Sequence, residues 1–150
     1  MANDTNRRSY TFDADLQLKD AGLVAASAAA QVDSADQILD VGTSVFDGVA
    51  VIDVTAIEIA SNDEHYRIAI QGSNSATFAS GIETLAELDM GATEVRDGGA
   101  QDSTVGRYEL RFRNWQNDAT YRYVRAYTFV GGTVATGVNY SAFVSIDQGC

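Results

Sequence analysis

The stretch "YRYVRAYTFVGGTVATGVNYSAFVSID", residues 121–147, carries most of the information on fold class. It contains two runs rich in Tyr, Val, Phe and Thr, which favour strands, around a glycine-containing connection. Such a pair predicts a β-hairpin. Tyrosine and arginine alternate in the first run, a pattern compatible with a nucleic-acid surface, a sugar platform, a subunit interface or the two faces of a strand. We interpret most of it as strand alternation, with aromatic side chains inward and arginines outward, although Arg125 shares the parity of the tyrosines.

Other segments repeat the two-residue period. In "EHYRIAIQG" (64–72) and "GRYELRFRN" (106–114), apolar side chains fall on one face and polar ones on the other. In "VAVIDVTAIEIA" (49–60) both faces are apolar, as in a central or interface strand. Gly, Asn, Asp and Ser mark the turns, since proline is absent. The sequence therefore predicts an all-β fold, an antiparallel jelly-roll-like β-sandwich of about eight strands, as one domain over residues 12–150.

Two segments are harder to assign. Residues 12–18 predict a strand or extended arm, followed by loosely structured chain to Gln31. The segment "IETLAELDM" (82–90) suits a short helix and a strand equally. Residues 1–11 are polar, and we interpret them as an extended N-terminal arm that is either a free tail or orders against a partner.

Charge limits the partners. The net charge is −11, so phosphate backbones and anionic lipids repel the chain, and we expect neither nucleic acid nor membrane as a partner. The motif "NRRSYTF" (6–12) resembles a twin-arginine signal but lacks an apolar stretch directly after it. Cys150 is the sole cysteine, which excludes an internal disulfide. These features predict synthesis in a reducing cytoplasm.

The sequence offers no enzyme signature. His65 is the only histidine, and no nucleophile motif accompanies it. The acidic turns "NDE" and "RDGGAQD" do not match a calcium-binding loop, and no glycine-rich run has phosphate-loop spacing. Carboxylates are plentiful, but sequence cannot show two of them facing across a cleft. We therefore expect no catalytic residues, no metal and no cofactor.

The cations are unevenly distributed. Lys19 is the only lysine, whereas five of the arginines fall between residues 107 and 125. Opposite charges on different parts of one molecule suit self-association or docking, and the alternative is a solvated surface with local ion pairs. Trp115 lies in the turn "NWQND", where it is either tucked over the sandwich end or acts as a contact anchor.

Two stretches carry a resemblance: "IQGSNSATF" (70–78) and "RYVRAYTFVGGTVATGVNYSAF" (122–143). Together with the order of the strands between about residues 16 and 147, they resemble the jelly-roll capsid cement, or decoration, proteins of tailed bacteriophages. The resemblance implies a structural virion protein on the capsid exterior. Such a protein docks as a homotrimer at three-fold positions of the head, stabilises it, and bridges subunits of an HK97-like major capsid protein. The alternative is a carbohydrate- or receptor-binding β-sandwich module of a phage tail or lectin, with Trp115 and tyrosines as its platform.

These considerations yield two sets of candidate residues. The first set would contact the capsid or a neighbouring subunit, and comprises Arg7, Arg8, Tyr10, Phe12 and Trp115. The second set would form the interface of the homotrimer, and comprises Arg107, Arg111, Arg113, Arg122 and Arg125.

Overall fold

The computed structural model describes residues 10–146, and almost all of its regular structure is β. One 3₁₀ helix, Ala14–Leu16, precedes fourteen strands. The strands are β1 Gln17–Lys19, β2 Leu23–Val24, β3 Ala28–Ala29, β4 Gln31–Val32, β5 Ala35–Asp36, β6 Leu39–Asp40, β7 Asp47–Ile57, β8 His65–Ser73, β9 Glu83–Gly91, β10 Gly106–Arg113, β11 Trp115–Gln116, β12 Ala119–Thr120, β13 Tyr123–Gly131 and β14 Val138–Ile146.

The long strands form two antiparallel sheets. The front sheet has the order β1-β14-β7-β10, with β2 also paired to β14. The back sheet has the order β3-β13-β8-β9, with β6 also paired to β13. The predicted all-β antiparallel sandwich is confirmed. We expected about eight strands, and the described part contains six strands of eight or more residues. The remaining edge positions, next to β13 and β14, are occupied by short strands. The jelly-roll connectivity stays a prediction.

The expected hairpin between residues 121 and 147 is wrong. β13 pairs with β8 in the back sheet, whereas β14 pairs with β7 in the front sheet. The connection crosses between the sheets at Gly132 and Gly137, which have φ values of 89° and 87°. A Cβ atom at Gly132 would lie 2.0 Å from the carbonyl oxygen of Asp63. The sequence shows a glycine-rich connection but not whether it returns to the same sheet.

The core lies between the sheets, as the alternation in β8 predicts. Tyr66 and Tyr140 are fully buried, and burial raises the pKa of each phenol to about 12. The Tyr66 hydroxyl donates to the Glu58 carbonyl at 2.9 Å, and the Tyr140 hydroxyl lies 2.6 Å from Thr128 Oγ1. Both polar atoms thus have partners in the core. Fully buried around them are Ile52, Ile68, Ile70, Val124, Ala126, Val138 and Val144.

The outer face of β7 is apolar too, as its sequence predicts. Val49 and Val51 are inaccessible to solvent, and they pack with Phe143 and Tyr10 on the outside of the front sheet. Phe12 contacts Phe143 edge to face, with ring centroids 5.4 Å apart. Residues 10–12 therefore lie across the front sheet and cover part of it.

The segments that were harder to assign are ordered as strands. Residues 83–91 form β9 rather than a helix, and its inner positions pack on the core. Residues 12–31 are more regular than expected, with a 3₁₀ turn and short strands. Lys19 organises this region, because its buried ammonium donates to the carbonyls of Asp20, Gly22 and Tyr140 at 2.9, 2.9 and 2.8 Å. Burial lowers the pKa of Lys19.

Within residues 10–146, the structure contains no helix of the length and apolarity required to cross a bilayer.

Candidate interaction surfaces

Two of the candidate arginines pair with aspartates on the outer face of the front sheet. Arg107 donates to both carboxylate oxygens of Asp53 at 2.7 and 2.9 Å. Arg113 donates to both oxygens of Asp47 at 2.6 and 3.0 Å. The register of β10 and β7 places each pair directly opposite on neighbouring strands. Bidentate geometry fixes both guanidinium groups within their own subunit.

Arg122 is engaged in the same way on the back sheet. It directly precedes β13 and donates to both oxygens of Asp40 on β6 at 3.0 and 2.9 Å. Hydrogen bonds from Arg122 and Arg113 lower the pKa of Asp40 and of Asp47. These three arginines match the alternative of local ion pairs. Arg111 is exposed on the same face of β10 as Arg107 and Arg113.

The aromatic face of β13 points outward, contrary to our interpretation of the alternation. Val124, Ala126 and Thr128 face the core with at most 1% of their surface exposed. Tyr66, Ile68 and Ile70 occupy the adjacent inward positions of β8, and Tyr140 of the front sheet contacts Thr128. The core beside them has room only for small side chains on β13, so the larger residues of opposite parity lie on the outer face.

The outward residues of β13 form a continuous stack with Arg67 of β8 and with Phe78, a buried loop residue, and we call this stack the aromatic–arginine ladder. It comprises Phe78, Arg125, Tyr127, Phe129 and Arg67. The Arg125 guanidinium lies 4.4 Å from the Phe78 ring centre and 5.2 Å from that of Tyr127. The Tyr127 and Phe129 ring centres are 4.8 Å apart, and the Arg67 guanidinium lies 4.8 Å from that of Phe129. Each arginine thus rests on an aromatic ring, a favourable cation–π arrangement.

The two arginines of the ladder differ from the paired ones. Within residues 10–146, Arg125 forms no salt bridge, and its Nε donates to the Gln71 side chain at 2.9 Å. Desolvation lowers its pKa. Arg67 contacts Glu87 at 3.5 Å, through one nitrogen only. Among the described residues, the ladder therefore has one single-contact ion pair and none of the bidentate pairs that bind Arg107, Arg113 and Arg122, although Asp36 lies close enough to Arg125 to act on its charge.

Trp115 lies on a short hairpin, β11–β12, at one end of the sandwich. Asn117 and Asp118 form its turn with φ values of 52° and 61°, the left-handed pair that tight hairpins require. The Trp115 side chain is 44% exposed, which fits a contact anchor better than a residue tucked over the sandwich end. Gln116 ties the hairpin to the back sheet through Glu83, at 3.0 Å.

Asn114 holds this hairpin in place. It is fully buried, and its amide accepts from the Phe46 backbone at 2.6 Å and donates to the carbonyls of Ser44 and Tyr121, both at 3.0 Å. The loop next to it exposes Val45, which is 53% accessible. Ile82, next to Glu83, is 42% accessible. We call the end of the sandwich that carries Val45, Ile82 and Trp115 the Trp end.

The predicted arm residues are only partly within the described residues. Arg7 and Arg8 lie outside them. Tyr10 and Phe12 pack on the front sheet of their own subunit, and the Tyr10 hydroxyl donates to Glu109 at 2.7 Å. The structure therefore brings Tyr10 close to Arg107 and its face, but places Trp115 at the Trp end.

The opposite end of the sandwich is organised by carboxylates. Glu64 is fully buried and accepts from the backbone of Ser61 and Asp63 at 2.7 and 3.2 Å. Desolvation opposes ionisation of Glu64, but these backbone donors prevail and its pKa is lowered. Asp63 in turn accepts from the backbone and hydroxyl of Thr133. His65 contacts Asp89 at the start of β8. These contacts hold the loops at this end of the sandwich together.

Residues 10–146 contain no group of three or more His, Cys, Asp or Glu side chains arranged to hold a metal ion. No protein-family model matches the chain, and no curated protein matches it significantly.

Three residues that define these surfaces were missed from sequence: Arg67, Phe78 and Asn114. The alternation in β8 placed Arg67 outward, but only the β8–β13 register puts it beside Phe129. Phe78 comes from a loop, where no periodicity exists, and has a left-handed φ of 55°. Asn114 follows a strand in a turn-rich segment, so its burial left no signal in the sequence.

Proposed function

We propose that this chain is a structural virion protein that binds the outer surface of a phage head at three-fold positions and stabilises it, without catalysing a reaction. The observation that carries the proposal is the Trp end. There a short hairpin exposes Trp115 at the same end of the sandwich as the exposed residues Val45 and Ile82. An exposed tryptophan on a hairpin that buried hydrogen bonds hold in place is typical of a protein-binding hot spot. The choice of a phage capsid as the partner rests on the resemblance of residues 70–78 and 122–143 to cement proteins.

Stabilisation of a shell follows from mass action. A protein that binds the assembled shell, and not its separated subunits, stabilises each site by about 2.7 kcal/mol at a hundredfold excess over the dissociation constant. A homotrimer at a three-fold position would contact several major capsid subunits at once. Many sites acting together would then oppose the separation of those subunits.

The test uses undecorated phage heads of the HK97-like type. Purified protein is added to the heads, the heads are pelleted, and both occupancy and the temperature of DNA release are measured. We expect wild-type protein to bind and to raise the release temperature. Trp115→Ala should weaken binding about tenfold or more, as expected for a hot-spot tryptophan. Leu23→Ala is the matched control, because Leu23 is 57% exposed and lies on β2, outside the Trp end. Wild-type protein that binds no heads would refute the proposal.

An exposed tryptophan also favours a second candidate, a carbohydrate-binding module, because aromatic side chains form platforms for sugar rings. A glycan array separates the two. Glycan binding that depends on Trp115, with no binding to heads, would support the carbohydrate-binding module instead.

A further inference from the structure

We propose that the aromatic–arginine ladder of one subunit binds the acidic loop 92–105 of a second copy of this chain. The inference rests on the proposed function only in that it supplies a contact for the proposed homotrimer. In this contact the cations of the subunit interface are Arg67 and Arg125, and not the arginines of the front sheet that pair with aspartates.

The ladder presents an aromatic centre between two cations. Arg125 lies opposite Gln71 on β8, and Arg67 is four residues from Gln71 on the same strand. Four residues of strand place the two backbone positions about 13 Å apart. In the stack, the rings of Tyr127 and Phe129 lie between the two guanidinium groups. Because stacking already holds both guanidinium groups, they lose little conformational freedom on binding a carboxylate.

The acidic loop presents the complementary order of groups. Glu94 and Asp97 are exposed, and Val95 between them is 39% exposed. Within residues 10–146, neither carboxylate forms an ion pair. An exposed apolar residue with carboxylates on either side of it in sequence therefore lies in one part of the molecule, and half-buried aromatic rings between two arginines lie in another.

The loop holds this arrangement before binding. Arg96 points inward, donating to Ser103 Oγ at 2.6 Å and to the Gln101 carbonyl at 3.1 Å. The Thr93 backbone donates to Asp102 at 2.9 Å, and the Val95 backbone donates to the Ala92 carbonyl at 3.2 Å. With Arg96 fixed inside the loop, its neighbours Val95 and Asp97 are presented outside without a large ordering cost.

Charge and symmetry favour a second copy as the partner. In a chain of net charge −11, Arg107, Arg113 and Arg122 are each bound by an aspartate of their own subunit. Within residues 10–146, Arg125 has no such salt bridge, and Arg67 meets Glu87 through one nitrogen only. The ladder and the loop are different surfaces, so the contact between copies is heterologous. A heterologous contact closes into a ring when the rotation between successive copies closes, as in a cyclic trimer, and otherwise gives an open filament. A sugar is a poorer fit for the ladder, because guanidinium groups already cover faces of its rings.

A charge swap tests the contact. The ladder variant carries Arg67→Glu and Arg125→Glu, the loop variant carries Glu94→Arg and Asp97→Arg, and the swapped variant carries all four. Self-association is measured by sedimentation velocity, with far-UV circular dichroism as the folding check. We expect each double variant to weaken self-association about tenfold or more, and the swapped variant to return within about threefold of wild type. Asp15→Arg, an exposed acid in the 3₁₀ turn, is the control and should have no effect.

A cross-linking measurement keeps the proposal testable if a charge-reversal variant does not fold. Ala29→Cys lies opposite Tyr127 at the ladder, and Val95→Cys lies in the loop. Each is made in a Cys150→Ser chain, the two chains are mixed, and a short bismaleimide is added. The expected product is a cross-link between one chain of each kind, formed more readily than links between like chains.

Wild-type protein that stays monomeric, a swapped variant that fails to recover although folded, or equal cross-linking of all chain pairs would overturn the inference. Head binding is measured separately on the same samples. Self-association through this contact without head binding refutes the proposed function alone, and head binding without the contact refutes the inference alone.

Discussion

Replacing Asn114 by alanine should destabilise the sandwich markedly, although this residue lies outside the long strands. Its buried amide makes three hydrogen bonds, one from the Phe46 backbone and two to the Ser44 and Tyr121 carbonyls. The alanine variant leaves these three backbone groups without their partner. At about 1 kcal/mol for each lost bond, the free energy of unfolding should fall by about 3 kcal/mol. For a chain of this size, that corresponds to a melting temperature lower by roughly 6 to 12 °C.

Urea unfolding followed by the fluorescence of Trp115, the single tryptophan, measures the effect and reports on the hairpin itself. Asn139→Ala is the control, because the Asn139 side chain accepts one hydrogen bond, from the Gly22 backbone at 2.9 Å, and should cost about 1 kcal/mol. Equal losses for the two variants, with an unchanged dependence on urea, would refute the idea that Asn114 is the main support of the Trp end.

Three further predictions concern the ends and faces of the sandwich. Glu64 has a lowered pKa in the folded chain, so it stabilises the fold above its unfolded pKa of about 4.3, and this stability is lost as pH falls through the folded pKa. Glu64→Gln should therefore flatten the decline of melting temperature in acid, and an unchanged acid profile would contradict this role. Gly132→Ala should cost about 2 kcal/mol or more in urea unfolding, since φ is 89° and the new Cβ would lie 2.0 Å from the Asp63 carbonyl oxygen; a wild-type midpoint would show that the connection relaxes easily. Arg113→Gln should leave the melting temperature nearly unchanged, because the Arg113–Asp47 pair is exposed on both sides, and a large drop would show that the pair supports the front sheet.

The fold class was predictable because strand alternation is a local property. In β8 and β10 the inner face holds Tyr66, Ile68, Phe112 and their neighbours, as their parity predicts. The apolar character of both faces of β7 was also correct, since Val49 and Val51 are covered from outside. A period of two residues arises within one strand, so the sequence of that strand contains it.

The sequence did not determine the interaction surfaces. The sequence showed a cluster of arginines in residues 107–125, but it did not show which of them have carboxylate partners. Asp47, Asp53 and Asp40 lie 66, 54 and 82 residues away from their partners Arg113, Arg107 and Arg122. Such pairs depend on strand register, which joins residues distant in the chain.

By itself, the sequence determined that the chain forms short antiparallel strands with two distinct faces. The tertiary structure decided which face of β13 is buried and which sheet β14 joins. Alternation separates two faces but does not say which one meets the core. Tyr66, Ile68, Ile70 and Tyr140 fill the interior, so only Val124, Ala126 and Thr128 fit inward on β13. The volume available in a close-packed interior is set by all the neighbouring strands together, and therefore only the assembled sandwich could place the tyrosines and arginines outside.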